Sequence, residues 1–335
     1  MTTEMTTMTL RRFGGPEVFE ATRAPIPEPG PGEVRVRVMA SGVNFAETMQ
    51  RSGNYPGPKT ELLAALGSEA AGVVDALGEG VDGIARGDRV AAPLFASMRL
   101  TGGYAEHVVL PAAHAVSVPD GLDFAKATAV MVQGTTAWLM LREVPCAGGR
   151  VLATAAAGGV GSMLVQLARL RGAARVVGAA SGDKLDRVRD LGADDALDYR
   201  VEGWTAALAG EAAPDLIYDA VGGSLARDAL AALTPGGTFV TYGALSGEIL
   251  TLDQAAMGRV IFANQSVRGF ANYALLSDAV IREALTELFD LAASGRLQAR
   301  VGGRYPLTEV AQAHADLEAR RTAGKLVLIP EGAEA

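Results

Sequence analysis

The sequence predicts an α/β fold in two parts, a barrel or sandwich of short strands followed by a doubly wound parallel sheet. Three observations carry this reading. The chain has 335 residues, roughly twice the ~150 of an average domain. Residues 30–120 read as short strands cut by glycine turns, whereas strand–helix–strand units follow from about residue 126. One of those strand–helix junctions carries three closely spaced glycines. The two parts are expected to meet at a cleft, a preferred place for ligands.

The elements follow in order. Met5, Met8 and the neighbouring threonines read as a frayed start. Val34-Arg35-Val36-Arg37-Val38 alternates with a period of two, as a half-buried strand does. Ala71–Val74, Asp88–Ala91 and Glu106–Val109 continue the series, separated by turns such as Gly78-Glu79-Gly80 and Gly102-Gly103. Val151–Ala155 is a buried strand. After it Val160, Met163, Leu164 and Leu167 mark one face of a helix that Gly172 stops. Strands 175–179, 215–218 and 238–242 and a helix over 184–191 complete the βα units, which imply a parallel sheet. Amphipathic helices near 277–294 and 308–320 precede a closing strand at 325–329.

Composition removes several classes. With 49% hydrophobic and 20% charged residues the chain is globular. Its net charge, 30 − 38 = −8, supplies no cationic field for nucleic-acid phosphates. One cysteine, Cys146, and three histidines, His107, His114 and His314, cannot build a disulfide or a four-ligand zinc module. The histidines are spaced as surface or packing residues. The uncharged run from 151 to 168 is interrupted by Gly158, Gly159 and Gly161 and changes period midway, so it reads as strand–turn–helix rather than a membrane span. Residues 1–12 carry Glu4, Arg11 and Arg12 and no continuous apolar stretch, so they do not read as a secretory signal, and a cytoplasmic protein is expected.

The chemistry-bearing motif is Ala156-Ala157-Gly158-Gly159-Val160-Gly161, a G-x-G-x-x-G pattern with alanine at the first glycine. The second glycine lets a pyrophosphate approach the backbone, the third lets helix pack on sheet, and the helix start offers free N–H groups. A structural turn without a ligand is the alternative. The next βα strand ends at Ser181, with Asp183 and Lys184 behind it. No acid stands at the tip to bind a ribose 2′-hydroxyl, and a 2′-phosphate would need cations and hydroxyls such as Lys184 and Ser181; Asp183 has the opposite sign, and Lys184 as a solvated helix residue is the alternative.

With these residues the chain resembles the zinc-independent quinone oxidoreductase branch of the medium-chain dehydrogenase/reductase superfamily. The resemblance runs through Phe13–Val18, Gly42–Glu47, Gly67–Gly72, Gly102–Glu106, the glycine turn, Tyr218–Gly223 and Gly324–Leu328. It implies a GroES-like β-barrel substrate domain over 1–126 and 266–335 and a Rossmann domain over 127–265. Zinc-dependent relatives carry cysteine at Asn44 and Gly-His-Glu at Gly67-Ser68-Glu69, so no metal is expected. The resemblance places Asn44, Thr136 and Tyr55 near the nicotinamide and the substrate carbonyl, with Asn44 and Tyr55 as catalytic candidates. Ala157, Gly158, Gly159 and Val160 form the pyrophosphate turn. Ser181, Lys184, Tyr199 and Arg320 gather on the 2′-phosphate, Gly243, Ala244 and Leu245 lie under the nicotinamide ribose, and Phe270 and Ala271 meet the carboxamide. Glu47 replaces a common aspartate. Met49 and Ala271 replace aromatics and imply a roomier, more apolar substrate pocket.

The expected activity is hydride transfer from NADPH to a quinone, a conjugated enone or an enoyl thioester, in a homodimer. Two alternatives stay open: a non-catalytic NADPH-binding, redox-responsive partner protein, and a dedicated enoyl reductase of a biosynthetic pathway.

Overall fold

In the computed structural model, which describes residues 3–97, 101–320 and 322–333, the chain divides into two units. One is formed up to Thr135 and again from Leu275; the other is Thr136–Ala274.

The first unit opens with β1 (Glu4–Leu10), paired antiparallel along its full length with β2 (Phe19–Pro25). The expected frayed start is therefore a strand, because Met5 and Met8 bury 9% and 3% exposed and draw the threonines between them into the ladder. β3 (Glu33–Val43) follows and leads into helix α1 (Phe45–Ser52). β4 (Ala70–Leu77), β5 (Arg89–Ala92), β6 (His107–Pro111) and β7 (Val116–Ser117) complete the first pass. Val34, Val36 and Val38, alternating on β3, are at most 1% exposed and pack with Val74, Val90, Val108 and Leu110. That is the half-buried strand that the period of two predicts.

Helix α2 (Phe124–Glu143) carries the chain into the second unit. There β8 (Arg150–Thr154), α3 (Gly159–Leu170), β9 (Arg175–Ala180), α4 (Leu185–Asp190), β10 (Asp195–Asp198), β11 (Leu216–Asp219), α5 (Gly223–Ala231), β12 (Thr238–Thr241), α6 (Gln254–Phe262) and β13 (Ser266–Gly269) alternate. All the strand pairs are parallel, in the order β10-β9-β8-β11-β12-β13. Renumbered from β8, this is the 3-2-1-4-5-6 order of a doubly wound dinucleotide fold.

The chain then returns to the first unit with α7 (Asp278–Ala293), β14 (Val301–Pro306), α8 (Val310–Glu318) and β15 (Lys325–Ile329). The sheet of this unit runs β14-β15-β3-β4-β5-β7, with β6 also on β3. The two unit boundaries lie after those expected at 126/127 and 265/266. At the second boundary the reason is β13, whose ladder with β12 keeps residues 266–269 in the parallel sheet.

Candidate functional site

The glycine turn sits where β8 feeds α3. The strand ends at Thr154, one residue before the expected end, and Ala155 turns away with φ +49. Gly158 is the N-cap of α3, and no side chain caps the helix. Its first N–H groups are thus available to an anion, and a helix start favours negative charge. A Cβ on Gly161 would lie 2.3 Å from the Ala155 carbonyl oxygen, so only glycine lets the helix pack that close. A Cβ on Gly158 would stand 3.1 Å from the same oxygen and is otherwise unobstructed. Ala156 and Ala157 are buried, and the Ala156 N–H donates to the Ala179 carbonyl at 3.0 Å, tying the turn to β9.

The ends of β9 and β10 adjoin, since Asp198 pairs with Ala180. Ser181, Asp183, Lys184, Asp198, Tyr199 and Arg200 therefore share one corner. The Tyr199 N–H donates to the Ala180 carbonyl at 3.2 Å. Ser181 gives its hydroxyl to Asp183, which holds that carboxyl below its usual range. Arg200, which the sequence reading passed over, donates from Nε to Asp198 Oδ1 at 3.2 Å and from Nη2 to Asp198 Oδ2 at 3.3 Å. It also lies 3.7 Å from Asp183. Gly182 is glycine here because a Cβ would meet Asp198 Oδ2 at 2.3 Å and Arg200 Nη2 at 2.9 Å.

At the end of β11, buried Asp219 accepts from Thr154 Oγ1 at 2.7 Å and from the Gly222 N–H at 2.9 Å. Burial pushes its carboxyl up, against those donors. The loop that it fixes receives the Leu245 and Ser246 N–H groups on Ala220 and Val221, which places Gly243, Ala244 and Leu245 beside it. Phe270 is half-buried with its N–H on Thr241, and Ala271 is exposed. Asn272 Nδ2 reaches Thr136 Oγ1 at 3.5 Å.

The first unit holds a buried polar chamber. Asn44 caps α1, is 5% exposed, and is engaged on both ends of its amide. Oδ1 accepts from Lys325 Nζ at 2.5 Å and from Gln133 Nε2 at 2.8 Å. Nδ2 donates to Glu69 Oε1 at 3.0 Å, Glu47 Oε1 at 3.2 Å and Ser68 Oγ at 3.3 Å. Glu47 also accepts from the Asn44 and Ser68 N–H groups and from Ser68 Oγ at 2.6 Å. Burial raises the Glu47 carboxyl; the Lys325 charge and the Ser68 hydroxyl oppose it. Glu69 receives Lys325 Nζ on Oε1 and the Val132 N–H on Oε2 at 2.9 Å. Sequence reasoning found Asn44 but missed Lys325 and Gln133.

Tyr55 follows α1, half-buried, its ring close enough that a Cβ on Gly57 would lie 2.4 Å from it. Arg320 is exposed at the end of α8 with φ +56. The structure thus brings Ser181, Lys184 and Tyr199 to one corner of the second unit, and places Asn44, Tyr55 and Arg320 in the first.

Against known proteins, residues 30–120 match the alcohol dehydrogenase GroES-like domain and residues 191–328 match a family described as zinc-binding dehydrogenase. A quinone oxidoreductase of Pseudomonas aeruginosa is 36% identical over 95% of this chain and 97% of its own. The chain belongs to the quinone oxidoreductase branch of the medium-chain dehydrogenase/reductase superfamily. Within that branch, the Escherichia coli quinone oxidoreductase complexed with NADPH superposes with a TM-score of 0.87 at 32% identity, covering 97% of this chain and 100% of that one. A 2-haloacrylate reductase of a Burkholderia species is 30% identical over 96% of this chain and 98% of its own. The barrel-type first unit and the dinucleotide-type second unit are those the resemblance implies. No helix among the described residues is long and apolar enough to cross a membrane.

Proposed function

We propose that the chain is an NADPH-dependent oxidoreductase that passes hydride, without zinc, to a quinone or to a C=C bond conjugated with a carbonyl. The observation that carries this reading is the open first turn of α3 over the end of β8, with Gly158 leaving room for a pyrophosphate. The residues of the second unit suit the dinucleotide: Ala157, Gly158, Gly159 and Val160 for the pyrophosphate, Ser181, Lys184 and Tyr199 for the 2′-phosphate, Gly243–Leu245 and Phe270–Ala271 for the nicotinamide end; the resemblance adds Arg320 for the same phosphate. When bound, NADPH supplies the hydride.

Conjugation spreads the charge that develops on hydride addition, so a Lewis acid is dispensable. Tyr55 is the donor to the substrate carbonyl oxygen. Both ends of the Asn44 amide are already bonded inside the buried cluster, so Tyr55 rather than Asn44 takes that role. The named activities of the relatives, on quinones and on a haloacrylate, support electrophilic conjugated acceptors as the substrate class. The acceptor expected is bulky and apolar, since the resemblance puts a tyrosine of some quinone reductases at Met49 and a common aromatic at Ala271. The test is a panel of quinones, enones and enoyl thioesters with NADPH and the purified chain. Reduction of at least one, lost in a Tyr55→Phe variant, is expected; oxidation of NADPH by none of them overturns the reading.

A further inference from the structure

We infer that Lys325 is the resident cation of the chamber around Asn44 and the positioning residue of the Asn44 amide. An ammonium has three N–H donors, and here it has three acceptors: Glu69 Oε1, Asn44 Oδ1 at 2.5 Å and Gln133 Oε1 at 3.1 Å. Lys325 is 3% exposed and Glu69 and Glu47 are both 0%, so this charge is held away from solvent. The backbone is cut to admit it. A Cβ on Gly42 of β3 would lie 2.2 Å from Glu69 Oε1 and 2.5 Å from Lys325 Cε, so the lysine–glutamate pair lies across a strand that must carry glycine there.

The consequence concerns metal. One of the two families matched is described as zinc-binding, yet the donors here are two carboxylates, two amides and a hydroxyl, with no thiolate or imidazole. Zinc sites of enzymes are built from histidine and cysteine with carboxylate support. The oxygens that a divalent ion would need, on Glu69 and Asn44, are held by the ammonium. Lys325 also decides which way the Asn44 amide faces: Oδ1 toward the two donors Lys325 and Gln133, Nδ2 toward Glu47, Glu69 and Ser68. Without the cation, Glu69 and Glu47 are buried together with no cationic side chain bonded to either among the described residues, and Asn44 Oδ1 keeps only its Gln133 donor.

The experiment compares the parent chain with Lys325→Met, Lys325→Arg and the double variant Lys325→Met/Glu69→Gln. The parent, produced with zinc in the medium, is expected to carry far less than one zinc per chain and to keep its melting temperature in a chelator. Lys325→Met is expected to melt lower and to recover stability on added Mn²⁺, which does nothing for the parent. The double variant removes both charges and recovers much of the lost stability without metal. In folded Lys325→Met and in the double variant kcat falls about tenfold or more through misplacement of the site while the KM for NADPH stays near the parent value, and Lys325→Arg keeps part of the kcat that these lose. Stoichiometric zinc in the parent, removed by a chelator with a drop in melting temperature, overturns the inference. So does a Lys325→Met variant as stable and as active as the parent. The metal and melting measurements stand even if no substrate is found, so a failure here differs from a failure of the proposed reaction.

Discussion

His314 is buried between a permanent cation and a phenol. Its Nδ1 faces Arg51 Nη1 at 3.4 Å and its Nε2 faces Tyr104 Oη at 3.1 Å. A guanidinium only donates, so Nδ1 accepts and the ring proton sits on Nε2, aimed at the tyrosine oxygen. Burial first, and then the Arg51 charge, lowers its pKa to about 3. Unfolded, a histidine titrates near ~6.5. Between those values the unfolded chain binds a proton that the folded chain refuses, so this residue lowers stability as the pH falls, by up to ~1.4 kcal/mol per unit. His107, lowered mainly by burial, acts in the same direction; Glu47 and Asp219, raised by burial, act in the opposite one. The difference between parent and His314→Gln isolates the term. Urea midpoints measured from about pH 6.5 to 4.5 should fall less steeply in the variant, and equal slopes would disprove the assignment. The sequence shows His314 only as a packing residue, because its partners lie 263 and 210 residues away. Lys325 was hidden for the same reason, being 281 residues from Asn44.

At the scale of elements, local signals were legible and cross-strand ones were not. The turn from β8 into α3 is coded within a few residues, and its two structural glycines now separate into different roles. Gly161→Ala drives a Cβ to 2.3 Å from the Ala155 carbonyl and is expected to cost several kcal/mol, visible as a lower melting temperature or loss of soluble protein. Gly158→Ala, at 3.1 Å, should leave the fold within about 1 kcal/mol of the parent yet weaken NADPH binding, because the new methyl would stand on the proposed pyrophosphate approach. Equal melting temperatures for the two variants would contradict this division. β10 was not recognised as a strand, so Arg200 escaped notice beside Ser181. Its bidentate hold on Asp198 through Nε and Nη2 leaves the Nη1 edge facing away from that carboxylate. Arg200→Ala should raise the KM for NADPH about tenfold, equivalent to ~1.4 kcal/mol, with the KM for NADH nearly unchanged. Lys184→Ala and Arg320→Ala should behave alike. Equal changes for the two cofactors would remove these residues from the 2′-phosphate corner.

At the scale of the whole molecule, the division into a barrel-type and a dinucleotide-type unit was legible because the hydrophobic period changes near residue 126. The sixth strand of the parallel sheet was not, because Ser266-Val267-Arg268-Gly269 has neither alternation nor an apolar run. That strand matters for assembly. β13 lies at the open end of the sheet order with all four residues exposed. Just before it, α6 exposes Met257 at 44%, Ile261 at 63% and Phe262 at 91%. An unpaired edge flanked by large apolar side chains is a surface that a partner covers, and a second copy offers the same edge across a two-fold axis. A homodimer through this edge is expected. Burying one phenylalanine side chain contributes ~1.5–3 kcal/mol, and the symmetry applies that twice. Phe262→Glu should therefore convert a dimeric mass, measured by light scattering at micromolar concentration, to a monomeric one, with NADPH binding per chain retained. A monomeric parent under the same conditions, or a variant that stays dimeric, would place the interface elsewhere.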